Sequence, residues 1–180
     1  MGRLILRSQK KMMAILVSKA NETDANTVSS ILTEAAKWLD SIGQPLWESN
    51  ELLPECIVGD IRSGLYYLCW SDGNAIGTFK FQFEDKTIWP DVSQGDSAFI
   101  HRIAIKREFA GKEVPASIIN WAKTHAKDIG KKFLRIDCEL RPRLCRIYEK
   151  QGFVKHSEKT IGPWNVARYE YDLQNCEPIA

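Results

Sequence analysis

Tyr148, His101 and a scatter of carboxylates are the side chains of this sequence best suited to moving protons. A phenol with an ordinary pKa near ~10 is protonated at neutral pH and can donate; an imidazole or a carboxylate can accept. The acceptor candidates are His101 within a predicted strand, Glu139 just after another, and Glu84, Asp91 and Asp96 in the loop that precedes the first. Each has an ordinary structural alternative: Tyr148 as an aromatic cap against Phe153, and His101 as a satisfied core histidine. His125 falls on a predicted helix and His156 near a strand, and no His-x-x-x-His spacing suggests a metal. Cys56, Cys69, Cys138, Cys145 and Cys176 are odd in number and contain no CxxC pair. That pattern fits buried, reduced thiols of a cytoplasmic protein better than zinc or a disulfide framework, so no metal is expected.

These groups must be held by a fold, and hydrophobic periodicity outlines it. Residues 13–17 suit a short buried strand. Val28, Ile31, Leu32, Ala35, Ala36 and Leu39 recur at helical spacing behind caps at residues 21–24. A second helix covers residues 49–62, interrupted or restarted at Pro54. Residues 65–70 and 75–83 are aromatic and β-branched, joined by Ser71-Asp72-Gly73-Asn74, a hairpin signal. The polar segment 84–96, with Trp89-Pro90, reads as a surface loop. Then follow a strand over 97–105, a helix over 115–129 with Pro early and Gly130 at its end, a strand over 133–138 and a short helix over 142–151. Residues 153–159 and 167–173 close the chain as an antiparallel pair about Ile161-Gly162-Pro163. The order β α α β β β α β α β β predicts a single α/β (α+β) domain, a mixed sheet of six or seven strands flanked by about four helices.

Composition narrows the class. A chain of 180 residues, 44% hydrophobic and 27% charged, can bury one substantial core. A formal charge of +2, from 25 basic against 23 acidic side chains, argues against a nucleic-acid or membrane-surface partner. No apolar run approaches the roughly 18 residues a membrane span needs. Arg7, Lys10 and Lys11 precede an apolar run at residues 12–17 that is too short for a signal peptide. Residues 1–10 are expected to form a loose leader and residues 11–176 the domain.

The run Ile100-His101-Arg102-Ile103-Ala104-Ile105-Lys106-Arg107-Glu108-Phe109, followed by Ala110-Gly111-Lys112, resembles the central motif of the GNAT superfamily of acyl-CoA-dependent N-acetyltransferases. The helix over 116–130, the strand Leu134-Arg135-Ile136-Asp137-Cys138 and the stretch from Leu144 to Phe153 are similar to the rest of that family's cofactor half. The likeness is specific over residues 97–156; before them it rests on element order and the hairpin Ala75-Ile76-Gly77-Thr78.

The resemblance implies acetyl-CoA as cofactor, CoA as product, no metal, and transfer of an acetyl or short acyl group to a primary amine by direct attack in a ternary complex. It implies that the backbone of Ile103, Ala104 and Ile105 pairs with the pantetheine arm as an extra strand would, while their side chains pack the core. The loop and helix start, Ala110, Gly111, Lys112, Glu113, Val114 and Ala116, would hold the pyrophosphate through free amides and the helix dipole. Family members carry Arg or Gln, Gly, and Gly or Ala where this chain has Ala110, Glu113 and Pro115. Were position 113 to need positive φ, Glu there would cost on the order of 1–2 kcal/mol. A carboxylate about 5 Å from a phosphate would add roughly 3 kcal/mol of repulsion. Tyr148 would stand beside the sulfur and protonate the departing thiolate. Arg141 or Arg143 could contact a phosphate or an acidic acceptor, or be simply solvated. Trp38, Trp47 and Trp89 fall in segments that wall the acceptor site in this fold, with core packing as the alternative for Trp38. The acceptor is a small-molecule or peptide amine; a homodimer could complete its wall. The second reading is a catalytically silent CoA- or ligand-binding sensor on the same scaffold.

Overall fold

The computed structural model describes residues 14–111 and 113–175. Seven strands and four helices follow the expected order: β1 (Leu16–Lys19), α1 (Ala25–Ser41), α2 (Pro54–Arg62), β2 (Tyr66–Ser71), β3 (Asn74–Gln82), β4 (Ser97–Ile105), α3 (Val114–Asp128), β5 (Phe133–Glu139), α4 (Pro142–Lys150), β6 (Val154–Ile161) and β7 (Trp164–Asp172). The expected leader, the start of the first predicted strand, Lys112 and Cys176 lie outside the described residues.

Local signals explain the boundaries. The Asn21 side chain accepts from the Thr23 amide while Asp24 reaches back to the Asn21 amide, a capping box that opens a short 3-10 turn leading into α1. Pro54 occupies the first turn of α2, where its missing N–H is no loss, so the predicted 49–62 helix divides into a 3-10 turn at Ser49–Leu52 and α2. Between β2 and β3, Asp72 (φ 48°) and Gly73 (φ 76°) both take positive φ, the requirement of a tight hairpin turn.

The strands form one sheet in the order β1-β2-β3-β4-β5-β7-β6. β4 and β5 run parallel, joined through α3, and the other neighbours are antiparallel. One face carries α3 and α4 over Phe79, Phe81, Ile100, Leu134 and Ile136. The opposite face carries α1 and α2 over Tyr66, Leu68 and Ala104. The loop after β3 covers part of the sheet itself: Trp89 is fully buried, 6.1 Å from the Phe99 ring and below the guanidinium groups of Arg135 and Arg168. Trp89 is therefore core and no wall of a ligand site. Cys69 and Cys138 are buried free thiols as expected, whereas Cys56 is exposed on α2. No helix among the described residues is long and apolar enough to cross a membrane.

Candidate active site

The parallel ladder between β4 and β5 is short. Its register runs from Ser97 opposite Phe133 to Ile100 opposite Ile136 and stops, although β4 continues to Ile105 and β5 to Glu139. Beyond Ile100 the strands part and leave a fork lined by backbone amides and carbonyls. β4 keeps its other neighbour there: Thr78 faces Ala104 and Gly77 faces Ile105.

A bulge accompanies the parting. The β3–β4 register shifts between Thr78 and Lys80, and Arg102, at φ 50°, takes the left-handed region that side chains normally avoid. Before the bulge Ala98 and Ile100 pack toward α3; after it Ile103 and Ile105 do, while Ala104 turns to the α1 side. The extra residue thus reverses which face each β4 side chain meets. Gly77 permits the close approach, because a Cβ there would stand 3.1 Å from the Ala104 carbonyl oxygen.

Past β4 the chain makes a 3-10 turn at Arg107–Phe109 and enters α3 through Ala110 and Gly111. Gly111 takes φ 75°, whereas Glu113, the residue before α3, has φ −75°. The backbone penalty anticipated for Glu at 113 is absent, because the left-handed turn falls at Gly111. Pro115 sits in the first turn of α3, and the Ser117 amide already bonds the Glu113 carbonyl at 3.0 Å. The amides of Val114 and Ala116 are the first-turn donors the helix itself leaves unused.

Tyr148 lies on α4, packed against the α3-side core with its ring 6.2 Å from those of Phe153 and Tyr169. Burial, and behind it the neighbouring Cys138, Asp137 and Cys145, push its pKa well above that of a free phenol. The hydroxyl is therefore a proton donor throughout the physiological range.

At the fork itself, on the face away from α4, stands His101. Its Nδ1 lies 3.0 Å from Asp137 Oδ1 and its Nε2 3.2 Å from Asp85 Oδ2. Both are contacts of charge more than aligned hydrogen bonds: among the described residues Nε2 and Asp137 Oδ1 are sealed from solvent without a well-directed partner. Burial opposes a charge on His101, but the two carboxylates more than offset it, and the pKa is pushed up to about 9. Asp85 is held in place by the Thr87 and Ile88 amides, which donate to its Oδ1. The three residues bring a nitrogen and two carboxylate oxygens within 4.8 Å of one another, a donor set a cation could use. The carboxylates, however, face opposite nitrogens of one ring, which suits sharing protons better than gripping one ion.

The matching family model, described as the acetyltransferase (GNAT) family, spans residues 32–153, more than half of the chain. The chain belongs to the GNAT acetyltransferase family. It is an acyl-CoA-dependent acyltransferase. The uncharacterized N-acetyltransferase YesJ of Bacillus subtilis (strain 168) is 28% identical over 137 residues, covering 72% of this chain and 76% of that protein. A GNAT-family acetyltransferase from Listeria monocytogenes 4b F2365 superposes with a TM-score of 0.74 at 22% identity, covering 88% of this chain and 94% of that one. PaiA N-acetyltransferase from Thermoplasma acidophilum, solved in complex with coenzyme A, gives a TM-score of 0.68 at 19% identity over 88% of this chain and 100% of that one.

Within this GNAT fold the residues singled out from sequence fall into two groups. Ile103, Ala104 and Ile105 edge the fork, Tyr148 and His101 stand on its opposite faces, and Ala110, Gly111, Glu113, Val114 and Ala116 trace the loop into α3. Arg141 is engaged elsewhere: it pairs with Glu139 and donates to the Gln44 and Pro45 carbonyls at 3.0 and 2.9 Å, tying the loop after α1 to the end of β5. Trp38 is stacked under the Arg107 guanidinium at 3.8 Å, and Trp47 packs against the α1–α2 core. Of the loop acids, Glu84 pairs with Lys86, Asp91 with Arg168 and Asp96 with Lys132, so none of them reaches His101. Asp85 does. Sequence reasoning passed over Asp85 and Asp137. Asp137 carried no signal of its own: with Arg135 and Glu139 it continues the polar positions that alternate with Leu134, Ile136 and Cys138, the pattern of an ordinary half-buried strand.

Proposed function

We propose that the protein transfers an acetyl or short acyl group from acetyl-CoA to a primary amine by direct attack in a ternary complex. The observation that carries this reading is the fork between β4 and β5, where backbone groups of residues 103–105 have no β5 partner and can pair with an extended arm. Acetyl-CoA supplies the activated thioester. The chain's own residues do the rest: Ile103–Ile105 align the pantetheine arm, the loop from Ala110 to Ala116 offers amides to the pyrophosphate, and Tyr148 donates its phenolic proton to the departing sulfur. Binding both reactants along one fork converts a bimolecular attack into a local one.

The complex of PaiA with coenzyme A supports this use of the fold. So does the intact start of α3, whose left-handed turn still falls on glycine and whose Glu113 is unstrained. The test is release of free thiol from acetyl-CoA across a panel of primary amines. Release that requires both the thioester and an amine is expected; acetyl-CoA that neither binds nor is consumed would refute the reading.

A further inference from the structure

Charge at the fork does not balance, and the imbalance has a location. Lys80 of β3, opposite His101 in the ladder, is held by Asp60 of α2 at 2.6 Å. Arg102, next along β4, is held by Glu51 at 3.1 Å, and Arg141 by Glu139 two residues beyond Asp137. The Tyr66 phenol, beside Arg102, is held neutral by burial. Arg168 of β7, opposite Asp137 in the ladder, is held by Asp91, and Arg135, two residues before Asp137, by Glu170, so among the described residues each neighbouring cation has its own carboxylate. The remaining groups facing His101 are Asp85 from the loop and Asp137 from β5, two negative charges against one imidazolium, leaving −1. Asp85 is sealed, with 6% of its side chain exposed, whereas Asp137 keeps 14% and is the first unpaired residue on the β5 arm of the fork.

We propose that the ammonium of a cationic acceptor docks at Asp137 and competes there with the His101 imidazolium for the Asp85–Asp137 pair, so that docking itself turns His101 into a proton acceptor. This rests on the transfer reaction proposed above. The physical basis is mutual repulsion: two unit charges about 5 Å apart at an effective dielectric near 20 lower the proton affinity of His101 on the order of 100-fold. With its pKa at about 9 in the free protein, the imidazole is charged and cannot accept. A fall of that size brings it to near neutrality, where an acceptor works best.

The protons balance. Docking releases one proton from His101 to solvent. The docked ammonium then passes one proton to neutral His101, directly or across Asp137. The amine nitrogen forms the new carbon–nitrogen bond as the carbon–sulfur bond breaks, and the electron pair leaves on sulfur, which takes the Tyr148 proton. The second nitrogen proton leaves through solvent, from which Tyr148 recovers one. The net release is a single proton.

NMR titration of the imidazole nitrogens, with His101 assigned against His101→Gln, tests the competition without any turnover. In the full-length protein with CoA bound, n-butylamine in large excess should lower the His101 midpoint on the order of 100-fold in proton affinity. n-Butanol, its neutral counterpart, should leave it in place. Calorimetry of n-butylamine in buffers of different ionisation heat should show proton release that His101→Gln abolishes. Asp137→Asn should lower the midpoint in the free protein and erase the difference between amine and alcohol. A His101 midpoint that ignores the amine, or moves equally with the alcohol, overturns the proposal. If thiol release persists alongside that result, the transferase reading stands and the competition alone fails.

Discussion

His101 and Asp137 are the first residues past the end of the β4–β5 ladder, and their side chains meet at 3.0 Å across the opening. The contact closes the base of the fork with a charged pair where a further backbone bond would otherwise stand. Asp85 completes it from the loop that joins β3 to β4.

That contact makes stability depend on pH. The folded pKa of His101, about 9, lies above the unfolded value near 6.5, so its contribution is fully present below the unfolded value and is lost as pH rises through 9. Its size is on the order of 3 kcal/mol. Chemical denaturation of wild type should show unfolding free energy falling between these two pH values, and His101→Gln should flatten that decline. A wild-type curve as flat as the variant's would refute the charged state of His101.

Tyr148→Phe should lower kcat roughly 100-fold or more, the ordinary contribution of a positioned acid, with CoA affinity little changed. Thiol-release kinetics and calorimetry with CoA read the two effects separately. Full activity of the variant across pH would remove Tyr148 from the reaction.

At Glu113 the backbone is ordinary, so any effect on cofactor affinity comes from charge. Glu113→Gln and Glu113→Gly should therefore change CoA affinity equally. A clear advantage for Gly over Gln, measured by calorimetry, would mean that the backbone turns over to the left-handed region when CoA binds.

Arg102 holds a left-handed conformation that costs on the order of 1 to 2 kcal/mol. Arg102→Gly should recover part of that cost against the loss of one partly exposed ion pair with Glu51, leaving stability unchanged or raised. Arg102→Val, β-branched at positive φ, should lose about 1 to 2 kcal/mol beyond the loss of the ion pair. Thermal unfolding of the two variants distinguishes a strained bulge from a relaxed one.

By itself the sequence determined the element order. Period-3.6 and period-2 patterns, a proline inside α3 and α4, and glycine at their ends are written into contiguous residues, so β4 was outlined at Ser97–Ile105 to the residue. The places of Tyr148 on α4 and of the residues leading into α3 were likewise legible, because contiguous sequence fixes them, whereas their roles rest on the family resemblance. What only the tertiary structure decided is where non-contiguous charges meet. The loop after β3 offered four acids within thirteen residues of similar polarity, and only the Asx turn at Asp85 aims one at His101. The strain at Arg102 and the ordinary φ of Glu113 were equally hidden, since a bulge depends on how β3 and β4 register, and the turn into α3 could have placed its left-handed residue at either position. Local pattern sets which residues form a strand. Long-range packing sets which carboxylate a buried histidine finds, because burial makes each unpaired charge expensive enough to choose its partner.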